Sequence, residues 1–95
     1  MAGEIKGTVV AIDPSGHIVT DVTSEQLQEV PTDDRVWISC GGHRTNRIFP
    51  SDHHEPPMTY IALLGKNGKL ELALVGDNAE KFLGIQVGMP VIVKW

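Results

Sequence analysis

The sequence predicts a mostly β chain, a small antiparallel barrel of about seven short strands with one or two short helices. Three observations carry that prediction. Six prolines and ten glycines interrupt 95 residues too often for long helices. Between these interruptions lie short β-branched or alternating runs, of which Leu70, Leu72 and Leu74 against Glu71 and Ala73 is the cleanest. The hydrophobic fraction, 41% against 21% charged residues, is that of a globular chain. At this length one core, spanning residues 1–95 as a single domain, is expected. It would bury only roughly 60–65% of the unfolded surface, so association with a further copy is an ordinary way to add buried area.

The elements follow in order. Thr8-Val9-Val10-Ala11-Ile12 reads as a strand. Asp13-Pro14-Ser15-Gly16 is a turn, because proline presets one dihedral and glycine tolerates positive φ. His17 to Val22 returns as the second arm of a hairpin. Thr23 and Gln26 have the spacing of a capping box, and the short helix they would start must stop before Pro31. Arg35 to Ser39 is a strand with Val36, Ile38 and Cys40 on one face and Trp37 on the other. Gly41-Gly42 turns it into a strand over His43 to Phe49. A polar loop covers Pro50 to Pro57. Met58 to Leu64 is strand-like, Lys66-Asn67-Gly68 turns, and the leucine alternation follows. Asp77 as cap and Gly84 as stop define a second short helix. Gly88-Met89-Pro90 leads into the closing strand Val91 to Trp95.

Charge and composition narrow the partners. The net charge is −4 and the eight Lys and Arg are scattered, so no basic stripe marks a nucleic-acid surface. No apolar run approaches the roughly 18–20 residues of a membrane span. The single cysteine, Cys40, excludes an internal disulfide and fits a reducing compartment. Met1 to Ile5 show no secretory pattern. The expectation is a cytoplasmic chain with neither nucleic-acid nor membrane partners.

Four clusters could carry chemistry. Asp13 and His17 flank the first turn as part of a small-molecule pocket, and an equal reading has Asp13 simply accepting turn amides. Asp52-His53-His54-Glu55 is the densest set of potential metal ligands, yet adjacent histidines on a loop rarely converge on one ion, and a solvated loop is expected. Cys40 lies near His43 in sequence without an activating base or oxyanion donor, so it packs inward. The start of the second helix, Gly76-Asp77-Asn78-Ala79, reads as a structural cap and not an anion site. Trp37, Phe49 and Trp95 are expected in the core or at a contact between copies.

Two segments resemble a known family. Gly7-Thr8-Val9-Val10-Ala11-Ile12-Asp13-Pro14-Ser15-Gly16-His17-Ile18-Val19-Thr20-Asp21-Val22 is one. Gly68-Lys69-Leu70-Glu71-Leu72-Ala73-Leu74-Val75-Gly76-Asp77-Asn78-Ala79, continuing to Gly88-Met89-Pro90-Val91, is the other. In order and spacing they resemble the C-terminal β-barrel domain of the S-adenosylmethionine hydroxide adenosyltransferases, relatives of the fluorinases and chlorinases. The resemblance implies a barrel that packs against a larger N-terminal domain of a neighbouring subunit, with the adenosyl ligand between them and a trimer as the usual assembly. It places Asp13 on the aspartate that contacts the methionine amino group, and Lys66 on a serine that holds the methionine end. It places Ser15 where an aromatic stacks on adenine and His17 where an asparagine bonds it, while Asp21 replaces another asparagine beside a retained Thr20. Loss of the aromatic at Ser15 removes a stacking face worth about 1–3 kcal/mol by analogy with base-stacking platforms.

The larger domain, with that family's catalytic residues, is absent from these 95 residues. The reading is therefore a non-catalytic barrel, self-associated, with no resident metal or cofactor. Its small adenosyl or nucleotide ligand would meet Asp13, Ser15, His17, Asp21 and Lys66. One alternative is a subunit of a split S-adenosylmethionine hydrolase whose N-terminal domain is a separate chain. Another is a metal-binding module that uses His53 and His54.

Overall fold

The structure is a computed structural model and describes residues 3–95. Eight strands and one helix follow in the order β1 (Glu4–Ile12), β2 (Ile18–Thr23), β3 (Trp37–Cys40), β4 (His43–Asn46), β5 (Ile48–Pro50), β6 (Tyr60–Leu64), β7 (Lys69–Leu74), α1 (Ala79–Leu83) and β8 (Pro90–Lys94). They build a single sheet in the spatial order β4-β3-β8-β1-β2-β7-β6-β5. Neighbours run antiparallel except β5 and β6, which are parallel. The sheet curls until its ends approach. Thr45 Oγ1 on β4 donates to the Tyr60 carbonyl on β6 at 3.0 Å, so the barrel is nearly closed.

One residue makes this closure possible. A single strand was expected over His43 to Phe49, and the structure divides it at Arg47, whose φ is 73°. A left-handed residue cannot continue a pleated strand. The kink releases the chain from β3's side of the sheet and delivers it to β6's side as β5. Arg47 N–H then donates to Val36 O and Ile48 N–H to Thr32 O. The expected seven strands thus become eight.

The interior is filled by alternate residues of the strands. Ile18 and Val22, Ile38 and Cys40, Leu70 and Leu72, and Val91 and Val93 are all buried in one cluster. The leucine alternation therefore points where its pattern predicts. On the outer face of β6 and β7 a second cluster gathers Ile61, Leu63 and Ala73 under Phe49 and Val75. Glu71 lies on that outer side, one position away from Leu70 and Leu72 on the strand.

The first expected helix does not form. Thr23 and Gln26 do make the reciprocal capping bonds, Thr23 N–H to Gln26 Oε1 at 2.9 Å and Gln26 N–H to Thr23 Oγ1 at 3.3 Å. Beyond them the chain runs in turns, with Leu27 N–H shared between the carbonyls of Thr23 and Ser24. The stretch before Pro31 is too short to offset helix nucleation, and Ser24 is tied to Gly68. Leu27 and Val30 are buried from these turns.

The second helix forms one residue later than expected at its start. Asn78 caps it by accepting from Lys81 N–H at 3.1 Å, whereas Asp77 accepts only from the next amide. Asp77 N–H is held by Leu74 O, so the turn that leaves β7 is still being completed there. Gly84, left-handed at φ 67°, closes the helix as predicted. Among the aromatics, Trp37 lies outward from β3, 43% exposed, with the Arg44 guanidinium 5.2 Å above its ring. Phe49 joins the outer cluster, and Trp95 packs partly buried on the main core. Among the described residues no helix is long and apolar enough to cross a membrane.

Candidate functional site

The site begins with the first turn. Gly16 N–H bonds the Asp13 carbonyl at 2.9 Å, and Asp13 N–H bonds His17 O at 3.0 Å. Gly16 has φ +85°, and a side chain there would collide with Asn78 at the start of α1. Glycine is therefore required both by the backbone and by the neighbour. Asp13 Oδ1 accepts from Ser15 N–H and His17 N–H, each at 2.9 Å. The expected turn role of Asp13 is therefore met, and it uses a single oxygen. One oxygen is spent on turn amides, and the other, Oδ2, faces the His17 ring with Nδ1 3.7 Å away.

The third member arrives from β7. Val19 pairs with Glu71 across β2 and β7, which brings the Glu71 carboxylate beside the hairpin's end. Glu71 Oε1 stands 3.5 Å from His17 Nδ1, and its side chain is only 13% exposed. The carboxylate also rests against Gly65, where any β-carbon would meet it. Two carboxylates therefore converge on one ring nitrogen, one from the first turn and one from β7. Asp13, His17 and Glu71 each offer an atom within 4.8 Å of the others, a set capable of holding a cation.

Beside this set opens a cleft of about 370 Å³, lined by His17 and Glu71 together with Ser51, Leu63, Lys66 and Asn67. Its lining carries both signs of charge, the Glu71 carboxylate and the Lys66 ammonium, and Asp13 stands beside the lining residue His17. A larger groove, about 910 Å³, lies between Gly3, Trp95 and the segment around Val30. Two of its charged residues are already engaged, Arg35 with Asp33 at 2.9 Å and Glu4 with Lys94 at 3.6 Å. The Arg35 guanidinium holds the Asp33 carboxyl below its usual range. The smaller cleft is the better candidate because its polar groups converge.

The expected site residues distribute as follows. Asp13 and His17 are adjacent, and Lys66 lines the same cleft as His17. Ser15 sits exposed on the turn, its amide bonded to Asp13. Asp21 lies farther along β2, where its carboxylate accepts the Thr8 N–H at 2.8 Å. Glu71 is the residue that sequence reasoning passed over. Its one signal was a lone carboxylate among the apolar outward positions of β6 and β7.

The other sequence clusters have local roles. His53 Nδ1 accepts from Glu55 N–H at 3.2 Å, with its ring near Phe49. His54 is exposed and stands outside the converging set. His43 Nε2 contacts the Leu83 carbonyl at 3.1 Å. Cys40 is buried among the core residues, and burial pushes its thiol above the usual range.

The fold is that of a small, nearly closed β-barrel with one short helix. The family model of the SAM hydroxide adenosyltransferase C-terminal domain matches residues 7–92, and the chain belongs to that family. Solved structures share the fold. An uncharacterized conserved protein from Thermotoga maritima superposes with a TM-score of 0.75 at 19% identity, covering 95% of this chain and 35% of that one. A conserved hypothetical protein from Thermus thermophilus gives 0.66 at 25% identity, covering 93% and 34%. The chain therefore spans about a third of the length of each. No curated protein matches the sequence.

Proposed function

We propose that this barrel is a non-catalytic binding module whose cleft takes the amino-acid end of an S-adenosylmethionine-type ligand. The observation that carries the reading is the polarity of the cleft. Glu71, which lines the cleft, with Asp13 beside the lining residue His17, would meet an ammonium group, and Lys66, which also lines it, would meet a carboxylate. A free α-amino acid end presents those two charges together. Membership of the family adds the adenosyl group as the rest of the ligand. Ser15 and the turn it sits on would border the adenine without stacking on it, so the nucleoside end is the weaker contact.

A cleft open on one side buries only part of such a ligand, and good small-molecule sites bury most of it. A second surface is therefore part of the proposal. It comes from another copy of this chain or from an N-terminal-domain-like partner, and the second source is favoured because the chain spans about a third of the structures that share its fold.

Calorimetric titration with S-adenosylmethionine, methionine and adenosine tests the ligand. Binding should be strongest for S-adenosylmethionine, retained for methionine and weakest for adenosine. Asp13→Asn should lower affinity about tenfold, the loss of one charge-assisted contact of about 1.4 kcal/mol. No heat with any of the three, or equal binding by the variant, ends the ligand reading. Light scattering of the free chain, alone and with ligand, tests the second surface: a monomer under both conditions removes self-association and leaves the separate partner.

A further inference from the structure

We propose that Asp13, His17 and Glu71 form a binding site for one divalent transition-metal ion of the zinc class, coordinated by Asp13 Oδ2, His17 Nδ1 and Glu71 Oε1. This site is separate from the loop of adjacent histidines, His53 and His54. It does not depend on the adenosyl reading of the cleft.

The geometry comes first. Zinc binds imidazole nitrogen and carboxylate oxygen at about 2.0–2.2 Å in a tetrahedral arrangement, which places ligand atoms about 3.3–3.6 Å from one another. His17 Nδ1 stands 3.5 Å from Glu71 Oε1 and 3.7 Å from Asp13 Oδ2. The three groups lie within 4.8 Å of one another, so a shift of the Asp13 and Glu71 carboxylates completes the spacing without moving a strand.

Two of the three ligands already have supporting contacts. Metal ligands need partners that fix their orientation. Asp13 Oδ1 is anchored by two backbone amides, which leaves Oδ2 directed at the ring. Glu71 comes from β7, paired with β2 on one side and β6 on the other, and its carboxylate is backed by Gly65. His17 N–H is itself held by Asp13. None of the three depends on a long unsupported loop, in contrast to His54.

The donor set selects the ion. One imidazole with two carboxylates suits zinc, nickel or copper better than calcium or magnesium, which prefer all-oxygen shells. Two carboxylates balance a divalent charge. Three protein ligands leave a fourth position for water or another ligand, and two of the three, His17 and Glu71, line the cleft. An ion pair between a protonated His17 and its two carboxylates would use the same contacts, so the experiment must separate the two.

Zinc is titrated into the chain, with no adenosyl compound present, against a competing chromophoric chelator. The expected result is one zinc per chain. His17→Ala and Glu71→Gln should each weaken it by more than the roughly 10–100-fold that loss of a supporting group costs. A double His53→Ala, His54→Ala variant should bind as the parent does. Far-UV circular dichroism checks the fold. Glu71→Gln preserves shape, so it decides the question if His17→Ala does not fold. Cobalt substitution should give the intense visible absorption of a tetrahedral site in the parent and lose it in Glu71→Gln. Failure to bind stoichiometrically, equal binding by parent and Glu71→Gln, or loss in the double histidine variant overturns the assignment. None of these results bears on whether methionine or S-adenosylmethionine binds. Success has a further consequence: zinc and a ligand ammonium compete for Asp13 Oδ2.

Discussion

Tyr60 and Thr20 show how differently two polar side chains fare inside this barrel. The Tyr60 hydroxyl is, among the described residues, a buried oxygen with no hydrogen-bond partner, and burial raises its ionisation above the usual range. Its ring meets His43 edge-on with centroids 6.4 Å apart. Thr20 is fully buried and fully used: Oγ1 donates to Leu70 O at 2.7 Å and accepts from Val22 N–H at 3.2 Å. An unpaired buried polar group is costly, whereas a paired one is costly only to remove. Tyr60→Phe should therefore leave stability unchanged or raise it by about 1 kcal/mol, and Thr20→Val should lower it by about 1–3 kcal/mol. Urea unfolding of the two variants checks both signs. Cys40 belongs to the same scale. Its thiol is buried and harder to ionise than a free one, so iodoacetamide at neutral pH should label it only after unfolding. The sign for stability follows. The folded chain favours the neutral thiol, so this contribution is absent below the ordinary thiol value near ~8.5, where both states are neutral, and becomes a destabilising one as pH rises through it.

At the level of elements, the turns were legible and the interruptions were not. Gly41 and Gly42, both at positive φ, and Gly68 mark hairpins where sequence places them. Their signal is local, since glycine is the residue that accepts such dihedrals without penalty. Arg47 has no such signal. It adopts φ 73° because its amide and that of Ile48 are captured by Val36 and Thr32, which lie earlier in the chain. Arg47→Val, a β-branched residue in the left-handed region, should cost about 1–2 kcal/mol. Arg47→Gly should be far better tolerated, and equal denaturation midpoints for the two would remove the strain argument. The Thr23 to Pro31 segment teaches the complementary point. Its capping bonds are local and form; a helix needs length and an apolar face, and the tie from Ser24 to Gly68 takes that length away.

For the whole molecule, the ends of the chain are the middle of the sheet. β1 pairs β2 on one side and β8 on the other, and β8 in turn carries β3. Removing residues 90–95 therefore does more than trim an edge. It strips a central strand, exposes Val9 and Ile38, and separates β3 and β4 from the rest. The truncated chain should lose cooperative unfolding altogether, read by far-UV circular dichroism against urea; a sigmoidal transition at parental midpoint would contradict this. Pairing between chain ends also means that much loop entropy is lost before contacts form, so refolding should fall in the millisecond-to-second range of small β folds.

The sequence by itself determined the class of fold, the family, the inward face of the leucine strand and the pairing of Asp13 with His17 in the candidate site. Those features rest on local chemistry: alternation along a strand, turn residues, and Asp13 and His17 held four residues apart by one bend. Only the tertiary structure decided that Arg47 splits a strand, that Thr23 starts no helix, that Asp21 is spent on Thr8, and that Glu71 joins Asp13 and His17. Each of those is set by a partner distant in the chain. Strand register, which a pattern of residue types constrains to one face but not to one neighbour, is what brings such partners together.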